Sequence, residues 1–485
     1  MGRFREIFGR YWPLLVGLVA AVLTALLQAL AGPELEPWHT EWLQEEFTTD
    51  SENIGDLDDY LALEERLFAE LDDEVYERVE TGPAAALVRY SRGSAADPSL
   101  RRPNWNRTFE LPAENAVGGV LLLHGMSDSP YSLRALGQAL NARGLHVLGL
   151  RLPGHGTAPS GLTRVRWQDM VAATRLGMHH LEGVVHDGPL HIVGYSTGAS
   201  LAVNHALDAL EDPGLAAPAS LVLVSPAIGV SRAAGLARWR SALGRLPGLR
   251  GLEWLQIEPE FDPYKYNSFA TNAGDQVHRL TRRIGRRVAA TSWGPDAALF
   301  PPTLVFKSAV DATVSTNAVV DRFLGRLSTG RHELVLFDIN RAALKAPLLV
   351  DDPGPQTARL MDDARLPFAV TLVGSESPES QRVVARRKPP YSTDVTSEVG
   401  LGEDWPPGVI SLSHVALPFP PDDPLYGARP PAGGEGVFLG QLAIRGERGL
   451  LKIPSDWLMR LRHNPFYDYL EDVAVRWITG EAGNG

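Results

Sequence analysis

Residues 189–200 read PLHIVGYSTGAS. An apolar run of strand type stops at Gly194, presents Ser196, and carries a second glycine at Gly198. An ordinary strand-to-helix connection needs no glycine on both sides of a serine. A serine held on a very sharp turn does, because its own backbone is strained and the glycines let neighbouring elements approach. With 47 glycines in 485 residues the pattern Gly-x-Ser-x-Gly can arise by chance. The strand before it and the helical stretch ASLAVNHALDAL after it are what give it meaning.

A serine hydroxyl is a weak nucleophile until a base takes its proton, and the base needs a carboxylate to orient it. The oxyanion that forms on attack needs N–H donors. The backbone amide of Thr197 is one. The second is expected in LLLHGMSDSP, where Gly125 lets the chain bend and the amide of Met126 can face the substrate oxygen.

Working outward from the serine, strands and helices alternate. GGVLLLHG (118–125) is an apolar strand, and SDSPYSLRALGQALNARG has Pro130 in a first turn, Leu133, Leu136 and Leu140 on one face, and Gly144 at its end. LHVLGLRLPGHG is a strand and turn, WQDMVAATRLGMHHLEGV a helix, and ASLVLVSPAI a strand. The rhythm breaks over about 229–300 and resumes with PTLVFKSAVDATVS (302–315), a helix near 316–328 and HELVLFDI (332–339). It breaks again over about 340–408 before GVISLSHVALPF. This order predicts an α/β fold over 85–485, a mostly parallel sheet flanked by helices, with two inserts.

The chain carries 44% hydrophobic residues, enough for a large core. Its net charge of −12 is concentrated: residues 33–80 hold 18 Asp/Glu against two Arg, so the rest is near neutral, which argues against a nucleic-acid partner. Residues 33–84 form an acidic linker followed by a helix, with Leu57, Leu61, Leu67, Leu71 and Val75 at helical spacing. That helix is expected to pack on the main domain with its charges in water. There is no cysteine, which excludes disulfides and a thiol nucleophile.

At the N-terminus, Arg3, Arg5 and Arg10 precede a charge-free run from Tyr11 to Pro33. Its length suits a bilayer-spanning anchor within residues 1–32, with the catalytic domain on the extracytoplasmic side. Ala29-Leu30-Ala31 also suits a signal-peptidase site, so cleavage and release, to a secreted or periplasmic form, is the alternative.

His124-Gly125-Met126, Leu152-Pro153-Gly154-His155-Gly156, the serine pattern at 194–198 and SAVDATVS together resemble the α/β-hydrolase family, in its monoacylglycerol-lipase and serine-aminopeptidase (S33-like) branch. The resemblance covers residues 118–330 and returns at 409–425. It implies the chain order Ser…Asp…His, a lid between the sixth and seventh core strands (here about 229–300), and ester or amide substrates.

Three histidines follow Asp311. His332 opens a strand, His463 falls in SDWLMRLRHNPFYDYL, read as an amphipathic helix, and His414 alone follows an apolar strand and enters a Pro- and Gly-rich loop. His414 is therefore the expected base. Asp311, just past TLVFKSAV, is the expected acid, with Asp338 and the Asp351-Asp352 pair as rivals. The insert between Asp311 and His414 makes their separation longer than in compact relatives, and its apolar LPFAVTLVG can add strands beside the histidine. His155, on a tight turn before the nucleophile, reads as structural.

No histidine–carboxylate spacing suggests a metal site, and no Gly-x-Gly-x-x-Gly follows the first strand, so no metal or dinucleotide cofactor is expected. The chain thus reads as a serine hydrolase of carboxylic, lipid-like esters such as monoacylglycerols. A peptidase that releases N-terminal residues is the alternative, with Glu258, Glu260 and Asp262 as the hint of an amine subsite. A catalytically silent, membrane-bound binding protein is the rival of another class. The oligomeric state is open.

Overall fold

The structure is a computed structural model that describes residues 16–17, 34–229, 250–291, 300–311, 314–327, 330–343, 352–433, 436–440 and 461–481. Within them the strands are β1 (Phe109–Leu111), β2 (Gly118–Leu123), β3 (Leu145–Leu150), β4 (Leu190–Tyr195), β5 (Ser220–Val224), β6 (Trp254–Gln256), β7 (Phe269–Ala270), β8 (Thr303–Ser308), β9 (His332–Phe337), β10 (Ala369–Ser375), β11 (Arg382–Lys388) and β12 (Ser397–Asp404). The helices are α1 (Pro37–Thr40), α2 (Leu57–Glu74), α3 (Arg134–Asn141), α4 (Trp167–Val185), α5 (Thr197–Glu211), α6 (Thr271–Ala290), α7 (Thr316–Arg322), α8 (Gly354–Asp362) and α9 (Tyr467–Thr479).

Ten strands form one sheet in the order β1-β3-β2-β4-β5-β8-β9-β10-β11-β12. From β3 to β10 every pairing is parallel, while β1 at one edge and β11 and β12 at the other run antiparallel. The central strands are buried along their whole length, which is why they read as continuous apolar runs rather than alternating ones.

The period of two divides their side chains between two cores. Leu121, Leu123, Ile192, Leu221, Leu223 and Val305 pack with Met178 and Leu181 of α4 and with α5 and α6. Val120, Leu122, Val193, Val222, Val224 and Phe306 pack on the opposite face with α3 and α9. Helices on both faces and parallel strands make this a doubly covered α/β sheet, as expected.

The acidic segment is built into the molecule. Of the stripe read from helical spacing, Leu57, Leu67 and Leu71 are buried in α2 and Val75 just after it, whereas Leu61 is only half-buried and Tyr60, Leu63 and Phe68 complete the buried face. Its charges are not all in water, however. Glu46 and Glu64 are buried against Arg151, whose guanidinium reaches them at 3.1 and 3.0 Å. The Tyr60 hydroxyl also donates to the Arg151 carbonyl at 2.7 Å. Arg151 opens the turn after β3, so this segment braces a loop at the C-terminal edge of the sheet.

The two inserts differ in kind. Between β5 and β8 the described part holds the small β6–β7 ribbon and α6, while residues 230–249 and 292–299 of the expected lid lie outside the described residues. The second insert extends the main sheet: LPFAVTLVG becomes β10, parallel to β9, and β11 and β12 follow.

Two expectations are corrected. GVISLSHV is not a final strand, and β12 is the last strand described. The carbonyls of Ile410 and Leu412 bond instead to scattered partners, the Asn340 amide at 2.7 Å and the Ser308 hydroxyl at 2.9 Å, rather than to successive residues of one neighbouring strand. His463 lies before α9 rather than within a helix, because Pro465 disfavours the helical conformation for the residue ahead of it. The charge-free run 11–33 lies outside the described residues except for Val16 and Gly17. Among the described residues no helix is long and apolar enough to cross a membrane.

Candidate active site

At the end of β4 the chain turns on Ser196, whose φ of 54° and ψ of −111° place it in a region that non-glycine residues rarely adopt. The turn leaves no room for side chains at its neighbours. A Cβ on Gly194 would lie 2.5 Å from the backbone of Ala199, and one on Gly198 would collide with the Leu123 carbonyl oxygen. The turn is anchored by the Ser196 amide on the Val224 carbonyl (2.9 Å) and the Ala227 amide on the Ser196 carbonyl (3.0 Å). In the run from Leu190 to Leu201 only Ser196 is not fully buried.

Thr197 is the first residue of α5, so its amide is among those without an acceptor inside the helix. The loop after β2 lies across the same turn: a Cβ on Gly125 would stand 3.1 Å from the Tyr195 ring. Met126, half-buried, follows, and Ser127 has a φ of 66°, its carbonyl accepting the Tyr266 amide at 2.8 Å. Met126 and Thr197 thus sit on two adjoining loops. His124 braces them: its Nε2 accepts the Leu152 amide at 3.0 Å, so Nδ1 donates to the Gly125 carbonyl at 2.9 Å. Burial holds this imidazole well below its ordinary pKa, and therefore neutral. His155 is fully buried on its turn, its Nδ1 bonded to the Pro153 carbonyl, in keeping with a structural role.

Asp311 follows β8. One carboxylate oxygen accepts the Val314 amide at 3.0 Å, and the other faces both His414 Nδ1 at 3.0 Å and Lys307 Nζ at 2.7 Å. Burial alone would raise this carboxyl. The His414 hydrogen bond and charge, with those of Lys307, outweigh it and hold Asp311 well below the usual carboxylate range.

His414 is nearly buried, and its ring centre is 5.4 Å from that of Tyr195, the residue before Ser196. With Nδ1 bound to a carboxylate, the neutral imidazole carries its lone pair on Nε2. Its loop is fixed by the Asn340 and Ser308 bonds and by the Ser413 hydroxyl on the Leu461 carbonyl at 2.9 Å.

The rival acids are engaged elsewhere. Asp338 takes Arg341 through both oxygens at 3.0 Å, and Asp352 takes the same arginine at 2.9 Å. Asp351 lies outside the described residues. His332 and His463 are both buried away from this pair, His463 with its Nδ1 on the Tyr426 carbonyl.

Two charged groups here were not foreseen. Lys307 is fully buried in β8, where a lysine inside VFKSAV was the available signal. Asp128, buried in the Met126 loop, has its carboxyl raised by burial, with Lys265 at 3.4 Å and the His414 charge within range.

The sheet, the strained serine turn at its C-terminal edge and the loops around it have the arrangement of the α/β-hydrolase fold. Residues 114–339 match the family model described as "Serine aminopeptidase, S33". A thermostable monoacylglycerol lipase of Bacillus sp. (strain H-257) is 35% identical over 91 residues, 19% of this chain and 36% of that protein. The chain thus spans about a third of the length of that curated relative. Among solved structures, the metagenome-derived lipolytic enzymes LipS and LipT share 20% identity at a TM-score of 0.38, over 48% of this chain and 87% of theirs. A monoacylglycerol lipase from Paleococcus ferrophilus shares 16% at a TM-score of 0.37, over 48% and 88%.

Proposed function

We propose that the protein is a serine hydrolase of carboxylic esters with an apolar acyl part, of the monoacylglycerol type. The observation that carries this reading is the buried Asp311–His414 pair at 3.0 Å, set beside the strained turn that presents Ser196. Ser196 attacks the ester carbonyl, and His414 takes its proton and returns it to the leaving alcohol. Asp311 holds the imidazole tautomer, and the amides of Met126 and Thr197 receive the oxyanion. The acyl-enzyme is then opened by water through the same groups.

The ester reading is favoured over the peptidase by what two of the three lid-side carboxylates, Glu260 and Asp262, do. Glu260 accepts the Asn267 and Ser268 amides at 2.9 and 2.8 Å. Asp262 accepts the Tyr264 and Lys265 amides and the Tyr426 hydroxyl. Both are occupied in holding their own loop, which leaves them poorly placed to receive a substrate amine. The rival of another class, a catalytically silent, membrane-bound binding protein, would not need the acid–base pair.

The charge-free run 11–33 and its arginine flank support an N-terminal anchor with the hydrolase on the extracytoplasmic side, and a cleaved signal remains the other outcome.

The test is a panel of p-nitrophenyl esters of graded chain length beside aminoacyl anilides. Ester turnover that exceeds anilide turnover supports the reading. Anilide turnover alone supports the peptidase, and neither supports the binding protein.

A further inference from the structure

Away from the serine, on the outer edge of the sheet, three side chains from three elements converge. Glu110 lies in edge strand β1, opposite Leu148 of β3. His146 is two residues before Leu148 and so projects from the same face of β3. That face packs against α4, with Leu148, Met178 and Leu181 in one core, and α4 brings His180 to the cluster. The Nε2 atoms of His146 and His180 stand 2.6 and 2.7 Å from the same Glu110 oxygen. All three donor atoms lie within 4.8 Å of one another.

We propose that Glu110, His146 and His180 form a binding site for a divalent transition-metal ion of the zinc type. Two imidazoles and one carboxylate are a ligand set suited to Zn2+, whereas Ca2+ and Mg2+ call for oxygen ligands throughout. His146 is nearly buried and fixed, while the Glu110 and His180 side chains are 36% and 22% exposed. The ion therefore has an entry path and a fourth position open to water.

Bonds of about 2.0–2.2 Å in a tetrahedral arrangement require ligand atoms somewhat farther apart than these hydrogen-bonded ones. Glu110 is on an exposed edge strand of three residues and can withdraw by that small distance. Asp56 and Asp58, at the start of α2, place further negative charge near His180.

The site lies at the beginning of β3, whereas Ser196 stands at the opposite, C-terminal edge of the sheet. An ion here would tie the short β1 strand to β3 and α4, a stabilising clamp rather than part of the ester chemistry. Sequence spacing gave no hint of it because the three ligands come from separate elements that only the fold brings together.

The experiment uses the full-length chain in detergent, stripped with EDTA and then titrated with ZnCl2 by calorimetry, with melting temperature measured in parallel. One ion per chain with micromolar or tighter affinity and a raised Tm are expected. His180→Asn and Glu110→Gln should each weaken binding at least tenfold and remove the Zn2+-dependent rise in Tm. Each should match the EDTA-treated wild type in circular dichroism, so that lost binding is not lost folding. Absence of saturable binding, or binding and a Tm rise retained in both variants, would overturn the site and reduce the cluster to a hydrogen-bonded carboxylate.

Discussion

His414 and Asp311 are 103 residues apart in the chain, yet Nδ1 of one meets Oδ2 of the other at 3.0 Å. The intervening insert does not separate them because it adds β10, β11 and β12 to the far edge of the sheet and then returns. On its return the loop is bonded to Ser308, at the end of the strand that precedes Asp311. An orienting carboxylate in this position implies that Asp311→Asn costs on the order of 10⁴-fold in kcat through the wrong imidazole tautomer. Asp338→Asn should keep most of its activity, since Asp338 is committed to Arg341. Both variants are to be assayed on one ester with circular dichroism as the folding control; the reverse pattern would move the acid to the end of β9.

Lys307 and Asp311 are fully buried at 2.7 Å, and Lys307 also donates to the Val314 carbonyl. Lys307→Met removes one partner of a buried pair, and a loss of about 3–5 kcal/mol in urea unfolding is expected. A loss below about 1 kcal/mol would show that His414 and the Val314 amide suffice to satisfy Asp311.

Gly198→Ala forces a methyl into the Leu123 carbonyl, which is backbone and cannot swing aside. It should destabilise by at least about 1–3 kcal/mol and abolish ester turnover. Gly183→Ala, inside α4 with nothing within 4 Å of the new methyl, should instead stabilise by about 0.5–1 kcal/mol. Chemical denaturation of the two variants measures both signs.

Burial pushes the imidazoles of His39, His155 and His191 down to about 4. As pH falls below about 6.5 the unfolded chain takes up protons that these folded sites refuse until about pH 4. Their contribution to stability is thus full above that upper limit and is lost as pH falls toward the lower one. His39→Gln should flatten the fall in Tm between pH 7 and 5, and an unchanged slope would mean that His39 is not held neutral by burial.

The central sheet was legible because fully buried parallel strands are written as short apolar runs, and the serine turn because its steric demand at Gly194 and Gly198 admits no other residue. The segment around His414 was misread: Val409, Ile410 and Leu412 are spaced like a strand, but Asn340 and Ser308 consume its backbone carbonyls. The place of Glu46 and Glu64 could not be read either, since a buried carboxylate needs a partner such as Arg151 that only tertiary structure supplies. Lys307 was visible as a charge within an apolar strand, but its link to Asp311 depends on the turn after β8.

The claim on which the rest depends is that Ser196 is the activated nucleophile. A fluorophosphonate probe followed by intact-mass and peptide analysis tests it most directly. A single adduct is expected on the peptide that contains Ser196, and neither adduct nor ester turnover in Ser196→Ala. Undiminished labelling and turnover in Ser196→Ala would contradict it.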